Sequence, residues 1–103
     1  MRHPGLIVKD GIKLSNPDEM LLLMRWIRRF ILRKMSGCVG GCFRISIPQF
    51  KAWLRSNGIE VRQRGSTLWP LFMLELALLR KAGYIRGYEV LRTDKTVVIV
   101  KRA

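Results

Sequence analysis

The residues of this chain that could do chemistry are few and far apart. Two cysteines, Cys38 and Cys42, stand in C-x3-C spacing, but the one histidine is His3. Two thiolates without a nearby histidine cannot complete a four-ligand zinc site within one chain. The pair reads as two free thiols in a glycine-rich loop or as a local disulfide. The seven carboxylates are scattered, so neither a general acid–base pair nor a metal-holding nuclease cluster is expected. No Ser or Cys has a neighbouring histidine to activate it. Gly37, Gly40 and Gly41 permit tight turns, but the G-x-x-x-x-G-K-S/T phosphate loop is absent. No catalytic residue, metal or cofactor is expected, and the chain does not read as an enzyme.

What the chain carries in quantity is positive charge. Twenty Lys+Arg against seven Asp+Glu give a formal net charge of +13. Such a charge repels itself in the folded state, so an acidic partner is expected, nucleic acid before anionic membrane. Arg25, Arg29 and Arg33 recur every four residues with Arg28 beside them, which lines them along one edge of a helix. No Asp or Glu sits at i−4 or i+4 to pair with them. The ridge is either a solvated helix face or a phosphate-contacting edge. One carboxylate stands apart: Glu75 projects into an apolar sector among Leu68, Leu71 and Leu79. A buried carboxylate needs a partner, and an arginine such as Arg44, or one from the first helix, is expected to supply it.

The elements that must position these groups are legible in order. Leu6 to Leu14 reads as a small hairpin around Asp10-Gly11 or as an extended arm. Asn16 can cap a first helix, with Pro17 at its first position and Asp18 and Glu19 in its first turn. That helix is expected to run to about Met35 and to bury Met20, Leu23, Met24, Ile27, Phe30 and Ile31. Phe43 to Ile47 alternates as a short strand. Ser46 and Gln49 bracket Pro48 in a capping-box pattern that starts a second helix, with Phe50, Trp53 and Leu54 on one face and Lys51 and Arg55 pointing elsewhere, and the helix stops at Asn57-Gly58 with Ile59 packing back. A third helix is expected from Ser66 or Thr67, with Pro70 in its first turn and Leu68, Leu71, Phe72, Leu74, Leu78 and Leu79 buried, ending at Gly83. A hairpin follows: Tyr84 to Leu91, a tip at Arg92-Thr93-Asp94-Lys95, and Thr96 to Lys101. The expected fold class is α+β, mainly α. It has three helices, a small antiparallel sheet or wing, and residues 1–15 as an arm or hairpin ahead of a domain at 16–103.

This order resembles the winged helix-turn-helix superfamily of DNA-binding domains. The resemblance runs from Asp18 to Lys101. It rests on the strand Phe43 to Ile47, the second helix Pro48 to Asn57, the third helix Thr67 to Ala82 with its Leu79-x-x-x-Gly83-Tyr84-Ile85 ending, and the wing Ile85 to Lys101. It implies that the third helix enters a major groove while the wing touches flanking backbone. By position, Arg64, Ser66, Thr67 and Trp69 would approach bases, and Arg62 and Lys95 would meet phosphates. Gln63 lies between the two loop arginines, and Arg92 joins Lys95 on the wing tip.

The chain departs from the pattern in one respect. A reading helix exposes side chains that pair with base edges, whereas the least apolar arc here holds Pro70, Met73, Ala77, Arg80 and Lys81. Nothing in its middle can make a bidentate base contact. The charge lies on the entry loop, the wing and the first helix, which suits backbone contact. The expected function is therefore a DNA-binding winged-helix protein, a transcription regulator or chromatin-associated protein, gripping double-stranded DNA by its phosphates. Two alternatives stay open. One is a ribonucleoprotein or ribosome-associated protein that recognises structured RNA. The other is an interaction module whose third helix docks another protein or a second copy, as in a homodimer.

No signal peptide follows Met1 to Gly5. The richest apolar run, Met20 to Leu32, is broken by Arg25, Arg28 and Arg29 and falls short of the ~20 residues of a membrane span. A cytoplasmic protein, nucleoid- or ribosome-associated, is expected.

Overall fold

The computed structural model describes residues 17–61 and 64–101. The expected hairpin or arm at Leu6 to Leu14, the capping residue Asn16, and Arg62 and Gln63 lie outside the described residues. Three helices and a three-stranded antiparallel sheet follow one another in the order α1 (Pro17–Ser36), β1 (Cys42–Ser46), α2 (Ile47–Ser56), α3 (Gly65–Lys81), β2 (Ile85–Arg92) and β3 (Thr96–Lys101). This is an α+β, mainly α, winged-helix-like layout.

Local chemistry explains most of the element ends. The Ser46 hydroxyl caps α2 by accepting the Gln49 N–H at 3.2 Å, and Pro48 stands in the first turn, where its missing N–H costs little. α2 and α3 stop in the same way. Gly58, at φ 77°, and Gly83, at φ 85°, take the left-handed conformation that side chains disfavour. The next residue then folds back: Ile59 N–H donates to Leu54 O and Tyr84 N–H to Leu79 O, each at 2.9 Å. Ile59 is buried as expected, whereas Tyr84 stays exposed.

The sheet is ordered β1-β3-β2. β3 is therefore hydrogen-bonded on both sides, and its Val97 and Ile99 point into the core. β2 forms an edge broken by two register shifts, between Ile85 and Gly87 and between Val90 and Arg92, a twist that blunts further pairing. The connecting turn places Asp94 at φ 63°, which a short polar side chain tolerates, and Lys95 N–H donates to Arg92 O at 3.0 Å.

The core sits where α1, α2 and α3 meet the sheet. Leu23, Ile27, Phe30 and Ile31 enter it from α1, while Met20 and Met24 are half-buried at its margin. Phe50 is its aromatic centre, with ring centroids 5.4 Å from Phe30 and 5.0 Å from Phe72. Trp53 extends the cluster outward, 5.6 Å from Phe30 and 5.5 Å from Trp26.

The third helix differs from expectation in two ways. It starts at Gly65, so Pro70 falls in the second turn rather than the first. Its buried side holds Leu68, Leu71, Phe72, Leu76 and Leu79, whereas Leu74 is 49% and Leu78 40% exposed. The reason is geometric. α3 packs against α1, α2 and β2 from one side, which covers an arc of the helix rather than most of its circumference. Leu76 lies within that arc, and Leu74 and Leu78 lie past its edge. Glu75 is buried in the same arc, 2% exposed, and accepts a hydrogen bond from Arg28 Nε of α1. The expected arginine partner thus comes from the first helix.

Two stability measurements check this packing. Phe50→Ala should cost about 3–5 kcal/mol in urea unfolding, as expected for a fully enclosed ring, whereas Leu74→Ala should stay within about 0.5 kcal/mol. Arg28→Met should cost about 2 kcal/mol, because it strands the Glu75 carboxylate while half of Arg28 was already solvated. Adding Glu75→Leu to Arg28→Met should recover most of that loss, since an apolar pair of similar volume needs no partner.

Candidate nucleic-acid interface

The N–H of Ile47, the first residue of α2, has no partner inside its own helix. The carbonyl of Lys95 fills that role at 2.9 Å. This bond continues the β1–β3 ladder, in which Ser46 faces Thr96, and it draws the β2–β3 turn against the start of α2. Lys51 and Arg55, one turn apart on α2, thereby share a cavity of about 410 Å³ with Lys95, Asp94, Pro48 and Ile47. Three cations and one carboxylate line it beside a helix start that carries no acidic residue in its first turn. The N–H groups of this first turn are already paired, and it is the helix dipole together with the three cations that favours an anion here.

Lys51 registers this environment. Desolvation, and secondarily the like charge of Arg55, hold its ammonium below the ordinary value of 10.5. Lys51 and Arg55 were not among the residues singled out in the sequence. Their four-residue spacing was visible, but nothing local indicated that the hairpin tip would pack beside them.

The residues singled out from the sequence fall into separate groups. Arg92 and Lys95 are exposed at the turn. Arg64 is exposed at the start of α3, where its carbonyl accepts the N–H groups of Thr67 and Leu68 at 3.0 Å each. Ser66 falls in the first turn of α3, Thr67 is exposed, and Trp69 is half-buried. The arginine ridge of α1 is exposed but divided in its use. Arg28 is bound to Glu75, and the Arg29 guanidinium lies 5.0 Å over the Trp26 ring. Arg25 borders a cleft of about 230 Å³ with Leu21, Met24 and Leu78, while Arg33 borders a different cavity with β1 and α2. The cavity at the hairpin turn is lined by no residue of α1. The ridge and the turn are therefore distinct basic surfaces.

The outward side of α3 offers no base-pairing side chain in its middle. Pro70, Leu74, Ala77 and Leu78 are exposed there, with Thr67 before them and Arg80 and Lys81 after. Leu21 of α1, 58% exposed, borders the same cleft as Leu78 and extends this apolar strip.

Other chemistry is sparse. Cys38 and Cys42 are free thiols, and the Cys38 Sγ donates to Cys42 O at 3.4 Å. Among the described residues there is no group of three His, Cys, Asp or Glu able to hold a metal ion. No helix among them is long and apolar enough to cross a membrane. No family model, curated protein or solved structure matches the chain.

The pH behaviour of Lys51 tests the cavity. Because its pKa is lowered by folding, Lys51 sheds its proton at a lower pH than it would in the unfolded chain. An anion in the cavity offsets the charge of Arg55 and attracts the ammonium directly, which raises that pKa again. Binding then takes up a proton in the range between the free and bound values, so affinity falls as pH rises through it. NMR titration of the Lys51 side chain should show its pKa moving upward on addition of inorganic phosphate or a short duplex. An unmoved titration would remove Lys51 from the interface.

Proposed function

We propose that this chain is a winged-helix DNA-binding protein, a transcription regulator or chromatin-associated protein, that holds duplex DNA mainly by its phosphate backbone. The observation that carries the reading is the cationic cavity formed by Lys51, Arg55 and Lys95 where the hairpin turn meets the start of α2. Arg92 on the same turn and Arg64 at the start of α3 extend the charge outward. Phosphate contacts of this kind position a protein on a duplex without reading its sequence. The apolar middle of α3 fits that division, since direct readout requires polar side chains able to pair with base edges. The wide scatter of the seven acidic residues supports a binding role rather than a catalytic one. In this reading the protein works in the cytoplasm, bound to the nucleoid.

Structured RNA is the alternative polymer, because backbone contacts serve an A-form helix as well. It would place the protein on a ribonucleoprotein or the ribosome. A second reading is favoured by the strip of Leu21, Leu74 and Leu78: a protein-docking face on α3, occupied by a partner or by a second copy in a homodimer.

Salt dependence separates these readings. Duplex affinity should fall linearly on a log–log plot against salt with a slope of roughly −3 to −4, as about four phosphate contacts require. Lys51→Met, Arg55→Met and Lys95→Met together should flatten that slope by about 2–3. A shallow slope with strong preference for one duplex sequence would overturn backbone-driven binding. Structured RNA outcompeting duplex DNA of equal length would move the protein to the RNA reading. Leu74→Glu should leave duplex affinity per protomer unchanged, and should abolish self-association if the α3 strip is a dimer face.

A further inference from the structure

On the other side of α2 from Lys51 and Arg55 lies a second cavity, of about 420 Å³. At 100° per residue, Trp53 is two residues from each of Lys51 and Arg55 and stands about 160° around the helix from both, so α2 separates the two cavities. The rings of Phe30, Phe43 and Trp53 line this cavity, and Arg33, Lys34 and Arg44 stand at its rim. Phe43 and Trp53 are each half-buried and line the cavity, while the three cations are exposed. No carboxylate lines it.

The aromatic wall is held from behind. Trp53 meets Trp26 edge-on at 5.5 Å, Phe30 at 5.6 Å and Phe50 at 6.5 Å, and the guanidinium of Arg29 covers Trp26 at 5.0 Å. A ring fixed by three others loses little freedom when a flat ligand stacks on it. The volume lies in the range of small-molecule sites.

Each part of this cavity selects for the same ligand. A simple anion would use the three cations and leave the aromatic wall without a role. An aliphatic ligand would use the wall and leave the cations without a role. A flat aromatic group joined to a phosphate uses both, since bases stack on aromatic rings while neighbouring cations track the backbone. We propose that the α1–β1–α2 cavity is a nucleotide pocket that takes one unpaired base against Phe43 and Trp53, with its phosphate held by Arg33, Lys34 and Arg44. The proposal rests on the nucleic-acid reading above and adds to it a single-strand subsite on a separate face. The protein then holds a duplex at the hairpin turn and an unpaired nucleotide on the far side of α2.

The test is equilibrium binding of the full chain to four probes: a short oligothymidylate, a strand of the same length and charge with abasic residues, thymidine 5′-monophosphate, and a duplex. The oligothymidylate should bind on the order of tenfold more tightly than the abasic strand. Phe43→Leu keeps the wall apolar but removes one of its two stacking rings, and should reduce that difference several-fold without changing duplex affinity. Arg44→Gln, at an exposed position that does not threaten folding, should weaken strand binding several-fold and leave the duplex unaffected. Displacement of the strand by the mononucleotide would assign the pocket to free nucleotides, and failure to displace it would assign the pocket to a strand. Equal affinity for base-bearing and abasic strands, with duplex binding intact, would overturn the pocket alone. Loss of all four interactions would overturn the nucleic-acid reading with it.

Discussion

Residues 46 and 96, half the chain apart, face each other across the β1–β3 ladder, and one further hydrogen bond carries the ladder into the first residue of α2. Much of the molecule depends on that closure. β3 can be the central strand only if β1 reaches it from between α1 and α2, and this fixes which side of α2 meets the hairpin turn. The backbone bond between Ile47 and Lys95 gives a helix-start donor the partner it lacks and sets a lysine beside Lys51 and Arg55. A single backbone contact thus ties the hairpin to the helix and assembles the cationic cavity.

Charge and burial are reconciled differently on the two long helices. α1 keeps its arginines in solvent, and one of them reaches over to satisfy Glu75, the only charged residue among the buried side chains described. α3 does the reverse. It hides its acidic residue and leaves Leu74 and Leu78 in water. A helix packed from one side covers about a third of its circumference, so a sequence that is apolar nearly all round must expose some of it. That exposed strip leaves the middle of α3 without polar side chains, and the exposed basic residues lie at its ends and on the other elements.

The aromatic cluster links core to surface. It runs from Phe72 through Phe50 to Phe30 and Trp53, and ends at Trp26 beneath Arg29. Its inner rings stabilise the fold by burial. Its outer rings, held in place by the inner ones, form a rigid wall at the protein surface.

Much of the architecture was legible in the residues themselves because its signals are local. Pro17, the Ser46–Gln49 pair, Gly58 and Gly83 mark helix ends through backbone chemistry that acts within a few residues. Arg92 to Lys95 reads as a turn for the same reason, and the burial of Glu75 among leucines, with its need for an arginine, followed from helical spacing alone. The tertiary structure decided what depends on distant packing. It chose Arg28 as the partner of Glu75, because α1 crosses α3 at that level. It exposed Leu74 and Leu78, because the covered arc of α3 is set by its neighbours and not by its own composition. It also brought Lys51 and Arg55 to Lys95 through strand pairing across half the chain, and Arg33 and Arg44 to Trp53 through the packing of α1, β1 and α2 on one another. Helix caps and turns are written in short-range chemistry, whereas a binding surface is made by elements that meet only once the chain has folded.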